Sequence, residues 1–325
     1  MHDTPILTAH QCIKDNNLLS PGMTIILGLS GGPDSVFLLH VLVQLKETYN
    51  LTIIAAHLDH GWRENSEEDR DFCKTLADKL GIKFVSCHAR DIVINKKVNG
   101  SREEHARNLR RQFFESTALQ YNAHAIALAH HQDDQHETFF IRLLRGTGIT
   151  GLAGMRLQHG LYIRPLLPIT KKDILEYLTN NNINYLTDPT NTSDLFLRNK
   201  IRNSVVPTLL TCDSRFTASL ERTLENLQET DLFLKELTTK TFNTVTTTQD
   251  NQLLLDIKAF LELDPFLQKR VLLEWLCTVQ VFFTPSSSFF YEILRFLKES
   301  SSITHTMHSS WSILKDKKTA QIKKH

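Results

Sequence analysis

The chain has 325 residues, 41% of them hydrophobic, a formal net charge of +1 and five cysteines. That length exceeds the ~100–200 residues of one typical domain and supplies enough apolar side chains for a core, so two domains are expected. The near-neutral charge gives no global electrostatic reason to expect nucleic acid, so any RNA binding must come from local basic patches. Cys12, Cys73, Cys87, Cys212 and Cys277 are scattered, with no C-x-x-C pair, which argues against a disulfide framework or a cysteine-rich metal site. No apolar run approaches the ~18 residues of a membrane span, and Met1 to His10 lacks the order of a signal peptide. A soluble, cytoplasmic protein with no membrane partner is expected.

Short apolar runs at Thr24–Leu29, Leu51–Leu58, Ile82–Cys87 and His124–Ala129 predict strands. Between them lie longer stretches of helical periodicity, such as Glu67–Leu80 and Arg102–Leu119. Repeated βα units predict an α/β fold on a doubly wound parallel sheet, whose ligands bind beyond the carboxyl ends of the strands. Polar groups gather at those ends: Ser30 after the first strand, His57 and Asp59 after the second, His130 to Asp134 after the fourth. A boundary is expected near Pro207 to Asp213, giving a first domain over 1–212 and a smaller, mainly α-helical domain over 213–325. In the latter, Phe216, Leu220, Leu224, Leu227 and Leu234 keep a helical stripe and Thr238 to Thr248 reads as a loop or short strand. Helices return at Phe266–Cys277 and Phe289–Lys298, and Ile303 to Ile322 reads as a hairpin.

Ser30-Gly31-Gly32-Pro33-Asp34-Ser35 joins the first strand to a helix. Gly31 and Gly32 let the backbone approach a phosphate, the amides of the first helical turn point at it, and the Ser30 and Ser35 hydroxyls add donors. No Lys follows the glycines, so this is not the Walker A pattern and the transferred group is not expected to be the γ-phosphoryl. An ordinary strand-to-helix turn is the plain alternative. At His57-Leu58-Asp59-His60-Gly61-Trp62-Arg63, His57 and Asp59 share one face of a strand, more in keeping with a hydrogen-bonded strand end than with a metal ligand set.

Ser101 to Glu104 forms a capping-box pattern opening a helix on which Glu103, Arg107 and Arg110 share a face; a solvated face is the alternative. His130 to Thr138 is the densest acidic and imidazole cluster. With a helix starting near Gln132, Asp134 and Glu137 lie on one face, and with Asp133 they exceed what capping needs, suggesting a site for Mg²⁺ or an ammonium group. Arg145 to Leu152 is a glycine-rich basic loop. Asp188-Pro189-Thr190-Asn191 follows, and Arg198 and Arg202, one turn apart, can face one anion.

Jointly, the Ser30–Ser35 loop, His-x-Asp-His-Gly-x-Arg, Glu-x-x-Ala-Arg-x-x-Arg ending at Arg110, His-His-x-Asp-Asp-x-x-Glu-Thr, Arg-Leu-Leu-Arg-Gly-Thr-Gly, Arg164-Pro165-Leu166 and Arg-Asn-x-Ile-Arg resemble the tRNA(Ile)-lysidine synthetase family of PP-loop ATP-pyrophosphatases, over about residues 20–210. The length resembles that of its compact members, and Arg111 stands where the family often has Tyr. The resemblance implies ligation of L-lysine to C2 of the wobble cytidine of a CAU-anticodon tRNA(Ile) through an adenylated intermediate, changing decoding from AUG to AUA, with ATP as substrate and Mg²⁺ as cofactor. It implies ATP contacts at Ser30, Gly31, Gly32, Pro33, Asp34, Ser35, His57 and Asp59, with Asp34 organising the metal. It further implies lysine contacts at Asp134, Glu137 and Arg202, and catalytic roles for Asp34, Arg107, Asp134 and Glu137. The second domain would bind tRNA, with Lys315, Lys317, Lys318, Lys323 and Lys324 as a candidate patch. A cytidine thiolase is the runner-up, weakened by the missing C-x-x-C pairs, and a non-catalytic binding protein is a third reading, disfavoured by the extra carboxylates. Nothing in the sequence selects between a monomer and a homodimer.

Overall fold

The computed structural model describes residues 4–61, 66–92, 102–187, 197–281, 286–299 and 303–325. Trp62, Arg63, Ser101 and the Asp188-Pro189-Thr190-Asn191 motif lie outside the described residues, as does the Glu103 side chain. The chain divides into two units, residues 1–224 and 225–325.

The first unit opens with α1 (Thr4–Asp15), β1 (Thr24–Gly28), α2 (Pro33–Leu45), β2 (Thr52–Asp59), α3 (Ser66–Lys79) and β3 (Lys83–His88). It continues through α4 (Arg102–Gln120), β4 (Ala125–Ala127), α5 (Gln132–Leu144), α6 (Ile149–Leu152), β5 (Gln158–His159), β6 (Tyr162–Ile163) and α7 (Lys171–Asn180). After α8 (Leu197–Lys200), a π-helical stretch at Ile201–Val205 leads into α9 (Val206–Cys212) and then α10 (Phe216–Val245). The sheet runs β3-β2-β1-β4-β6-β5, parallel throughout except for β5 against β6. Chain order reverses between β1 and β4, the switch point where a doubly wound sheet opens a crevice.

The strands are near-continuous apolar runs because both faces are covered. Alternation then sorts them: Ile25, Leu27, Ile53 and Ala55 pack against α1 and α2, while Ile26, Ile54, Ala56 and Ile126 pack against Phe113, Phe114 and Ala118 of α4. Every strand and helix expected around the site is present within one to three residues of its predicted bounds.

The second unit takes the remainder of α10, then β7 (Thr246–Gln249), β8 (Gln252–Asp256), α11 (Ile257–Leu261), α12 (Pro265–Thr278), α13 (Ser287–Lys298), β9 (Thr304–His308), β10 (Trp311–Lys315) and β11 (Thr319–Lys324). Its helices pack on a five-stranded antiparallel sheet, β7-β8-β11-β10-β9, around Phe260, Trp275, Ile293 and Ile313. Three expectations are corrected here. The tail is a three-stranded antiparallel arrangement rather than a hairpin. Most of the threonine-rich stretch continues α10, its Thr238 and Thr246 hydroxyls donating to the carbonyls of Leu234 and Phe242 four residues back, at 2.6 and 2.7 Å. Lys315 is buried, and its ammonium donates to the carbonyls of Phe296 and Glu299 at the C-terminus of α13, so it caps a helix and leaves any basic patch to the exposed Lys317, Lys318, Lys323 and Lys324.

The division between units falls inside α10, beyond the Pro207–Asp213 stretch. The first turns of α10 belong with α5, because Phe216 stacks on Phe140 at 6.1 Å between ring centroids and Glu221 accepts from the Gln132 amide. Among the described residues no helix is long and apolar enough to cross a membrane.

Candidate active site

Beyond β1 the backbone turns through Ser30 and Gly31 into α2, with Gly32 at the N-cap and Pro33 in the first turn. Gly31 has φ +82°, and a Cβ there would stand 2.6 Å from Leu186 Cδ1, whose residue's amide donates to the Gly31 carbonyl at 2.9 Å. Both the left-handed backbone and the packed neighbour demand glycine. Ser35 is buried and turned inward: its hydroxyl accepts from the Ser30 amide (3.2 Å), lies 3.2 Å from the Ser30 hydroxyl and donates to the Gly32 carbonyl (2.9 Å). Gly31 and Ser35 thus hold the loop's shape, and Ser30, Gly32, Pro33 and Asp34 present it to a cavity of about 880 Å³. Among the described residues no side chain caps the N-terminus of α2, which leaves its first amides available to an anion.

Across the cavity, α5 begins at Gln132. His131, at its N-cap, lies 3.7 Å from Asp34, 3.4 Å from Asp133 and 3.5 Å from Asp134, and Asp134 accepts from the His131 amide at 3.0 Å. Burial opposes charge on the His131 ring, but the three carboxylates outweigh it and raise the pKa above its ordinary value. Reciprocally, burial would raise Asp133, yet the His131 ring and the Lys171 amide (2.8 Å) bring its carboxyl down to about 2. Burial likewise opposes ionisation of Asp134, and the His131 and Arg198 charges outweigh it, leaving the pKa below the usual range.

Lys171, the first residue of α7, is the member of this network that sequence reasoning missed. Its ammonium lies 2.6 Å from Asp34 Oδ1 and lines the cavity. The Thr170-x-x-Asp173 cap marks a helix start there, with Thr170 accepting from the Asp173 amide at 3.0 Å, but no local signal points the lysine at a loop 137 positions earlier.

Glu137 is only 2% exposed, and both of its oxygens are taken: Arg198 Nε donates to Oε2 at 2.5 Å and Arg202 Nε to Oε1 at 2.6 Å. Arg198 also reaches Asp134 Oδ1 at 2.9 Å. The single anion that Arg198 and Arg202 were expected to share is therefore Glu137 of the same chain. Arg202, carried on the π-helical stretch, lines the cavity, as does Asp134; Glu137 stands behind them.

At the end of β2, the His57 ring hydrogen-bonds with the Leu29 carbonyl at 2.9 Å, and burial lowers its pKa. Asp59 accepts from the Gly61 amide at 2.8 Å and lies 3.5 Å from His88. Both line the cavity, with His60, whose ring is pushed down to about 4 by burial and the Arg110 charge. Arg110 reaches His60 at 3.3 Å and joins the wall, whereas the exposed Arg107 does not line this cavity.

Among the described residues no group of three His, Cys, Asp or Glu side chains stands ready to hold a metal alone. Asp34, at the loop and 29% exposed, suits a Mg²⁺ that brings phosphate and water oxygens with it, since that ion commonly takes one or two carboxylates beside substrate phosphates.

Residues 6–209 match the model of the PP-loop domain family. Among curated proteins, the chain is 35% identical over 268 residues to the tRNA(Ile)-lysidine synthase of Clostridium perfringens, covering 80% of this chain and 56% of that protein. It is 32% identical over 307 residues to that of Bacillus cereus (92% and 64%) and 40% identical over 250 residues to that of Bacillus subtilis (74% and 52%). The chain thus spans between half and two thirds of the length of these relatives. Among solved structures, the U34-tRNA thiolase NcsA of Methanococcus maripaludis superposes with a TM-score of 0.58 at 19% identity, covering 68% of this chain and 78% of that one, a likeness of fold. With a matching loop, a matching sheet and a family model spanning most of its first unit, the chain belongs to the PP-loop domain family.

Proposed function

We propose that this protein ligates L-lysine to C2 of the wobble cytidine of a CAU-anticodon tRNA(Ile), consuming ATP and releasing AMP and pyrophosphate, and so produces lysidine. The observation that carries the reading is the convergence, around one cavity, of an uncapped glycine loop with a carboxylate–arginine cluster that nucleotide binding alone does not require. The names of the curated relatives point the same way.

The C2 oxygen of cytosine is a poor leaving group, so it must first be activated. It attacks the α-phosphorus of ATP; the new O–P bond forms as the bond to pyrophosphate breaks, and pyrophosphate leaves with the electron pair. The amides after Gly32 and the Ser30 hydroxyl hold the departing phosphates, and Lys171, with its ammonium at Asp34, supplies the cation that a Walker A lysine would supply from within its own loop. His57 and Asp59 shape the nucleotide end of the cavity. Mg²⁺, held at Asp34 with the phosphates, would neutralise charge on the leaving group.

In the second step the neutral lysine ε-amine attacks C2, the C2–O bond breaks and AMP departs with the electron pair, while the amine's surplus proton passes to a carboxylate of the cavity wall. Asp134 and Arg202, both on the cavity wall, offer an ammonium-seeking and a carboxylate-seeking group for the amino acid, with Glu137 behind them holding Arg198 and Arg202 in place, while the exposed Arg107 stands outside this cavity. ATP–pyrophosphate exchange with and without a CAU-anticodon tRNA, followed by incorporation of labelled lysine, tests the reading. Exchange that needs no tRNA, or adenylated tRNA that lysine does not discharge, would overturn it.

A further inference from the structure

Residues 197–212 form one run of helical backbone with a single irregular turn, the π-helical stretch Ile201–Val205. There the Val206 amide donates to the Ile201 carbonyl, five residues back rather than four. Pro207, the only proline of the run, follows at once. It has no N–H, so it can close neither the bond to Asn203 that an α-helix requires nor the next five-residue bond to Arg202. Its ring also crowds the carbonyl four residues before it. One wider turn moves that carbonyl clear. Beyond it the Thr208 hydroxyl donates to the Ser204 carbonyl at 2.7 Å, and the ladder is regular again by Asp213, whose amide reaches the Leu209 carbonyl at 3.1 Å. Lys200, Val205 and Val206 keep right-handed helical dihedrals, so the turn widens without breaking the helix.

The widened turn carries Arg202. In a regular α-helix residues four apart are offset by about 40° around the axis. A turn that holds more residues takes up part of that offset and brings Arg202 into line with Arg198. Their Nε groups then meet one oxygen each of the buried Glu137, at 2.6 and 2.5 Å, and of the two arginines only Arg202 lines the cavity. Pro207 itself is exposed and lies outside the cavity wall.

We infer that Pro207 is a positioning residue for the amino-acid substrate: by ending the hydrogen-bond ladder it imposes the π turn, and the π turn holds the Arg202 guanidinium at the cavity wall to receive the carboxylate of lysine. The inference rests on the proposed lysine-ligating function and deepens it.

Pro207→Ala restores the missing N–H. A crystal structure of the variant should show a four-residue ladder through residues 201–207 and Arg202 Nε turned away from Glu137; a π turn that survives the substitution would overturn the inference whatever the kinetics. The variant should melt no lower than the wild type, because an exposed ring leaves no hole and the regained hydrogen bond favours the helix. Adenylation of a CAU-anticodon tRNA(Ile) transcript precedes the use of lysine, so its rate and its KM for ATP should stay within about twofold. The KM for lysine in the discharge of adenylated tRNA should rise about tenfold, the loss of one charge-assisted hydrogen bond. A merely structural proline would instead lower the melting temperature and raise both KM values together. Action through Arg202 also predicts non-additivity: Arg202→Gln and the double variant Arg202→Gln, Pro207→Ala should share one KM for lysine, and a further rise in the double variant would overturn the inference. A wild-type protein that forms no lysidine would sink the functional reading and the substrate role with it, whereas a wild type and Pro207→Ala with equal KM for lysine would sink only the role of Pro207.

Discussion

In the proposed reaction Asp34 matters for chemistry and little for the fold. It sits in the first turn of α2, partly exposed, and its pairing with the equally exposed Lys171 contributes no more than the ~0–1 kcal/mol of a solvent-accessible ion pair. Asp34→Ala should therefore melt within a few degrees of the wild type while ATP–pyrophosphate exchange disappears; near-normal lysidine formation by the folded variant would remove Asp34 from the site. Glu137 is the opposite case. Glu137→Gln leaves two guanidiniums facing a neutral amide, and breaking such a buried pair costs ~3–5 kcal/mol, toward the low end here because Arg198 and Arg202 are 33% and 40% exposed. The variant should lose stability in thermal melts and, where folded, raise the KM for lysine more than that for ATP; Asp134→Asn, with a smaller stability loss, should separate the two effects. A KM defect confined to ATP would reassign the pair to the metal.

At the scale of elements, the start of α5 links charge to pH. His131 has a folded pKa raised above 6.5, so its contribution is complete below that value and is lost as pH rises through the folded one. Asp133 and Asp134 have folded values below 3.8, so theirs is present above 3.8 and is lost as pH falls toward about 2 for Asp133. The cluster is thus most stabilising between about pH 4 and 6.5. His131→Gln should flatten the decline in melting temperature on the alkaline side of that window, and an unchanged slope would show that the ring carries no proton there. Legibility in the sequence follows the same physics. The Ser30–Ser35 loop, the start of α5 and the strand ends are readable because each is set by local backbone geometry and period. Lys171 is not, since only the packing of α7 brings it to Asp34. Nor is the pairing of Arg198 and Arg202 with Glu137, for periodicity says that two arginines share a face but not which anion they meet. In the second unit β9 reads Thr-His-Thr-Met-His, too polar to announce a strand, and the threonines up to Thr244 are helical despite their low propensity, the Thr238 hydroxyl turning back on the Leu234 carbonyl.

For the whole molecule, every group of the candidate site belongs to residues 1–224, while the exposed Lys317, Lys318, Lys323 and Lys324 belong to the second unit, on β11 and the turn before it. Each unit has its own core, so removing residues 225–325 takes away one core without opening the other. If the second unit binds tRNA, its lysines neutralise backbone phosphates and release counterions, and each phosphate no longer neutralised should reduce the slope of log affinity against log salt by about 0.7–0.9. The truncated protein should bind ATP as before, bind tRNA more weakly at low salt and show a shallower salt dependence. Replacing Lys317, Lys318, Lys323 and Lys324 with Gln in the full chain should reproduce part of that change in slope, whereas Lys315→Gln should lower stability, because it uncaps α13, and leave the slope unaltered. Filter-binding isotherms from low to physiological salt measure both quantities. A truncated, folded first unit with unchanged affinity and slope would place tRNA recognition on the first unit alone.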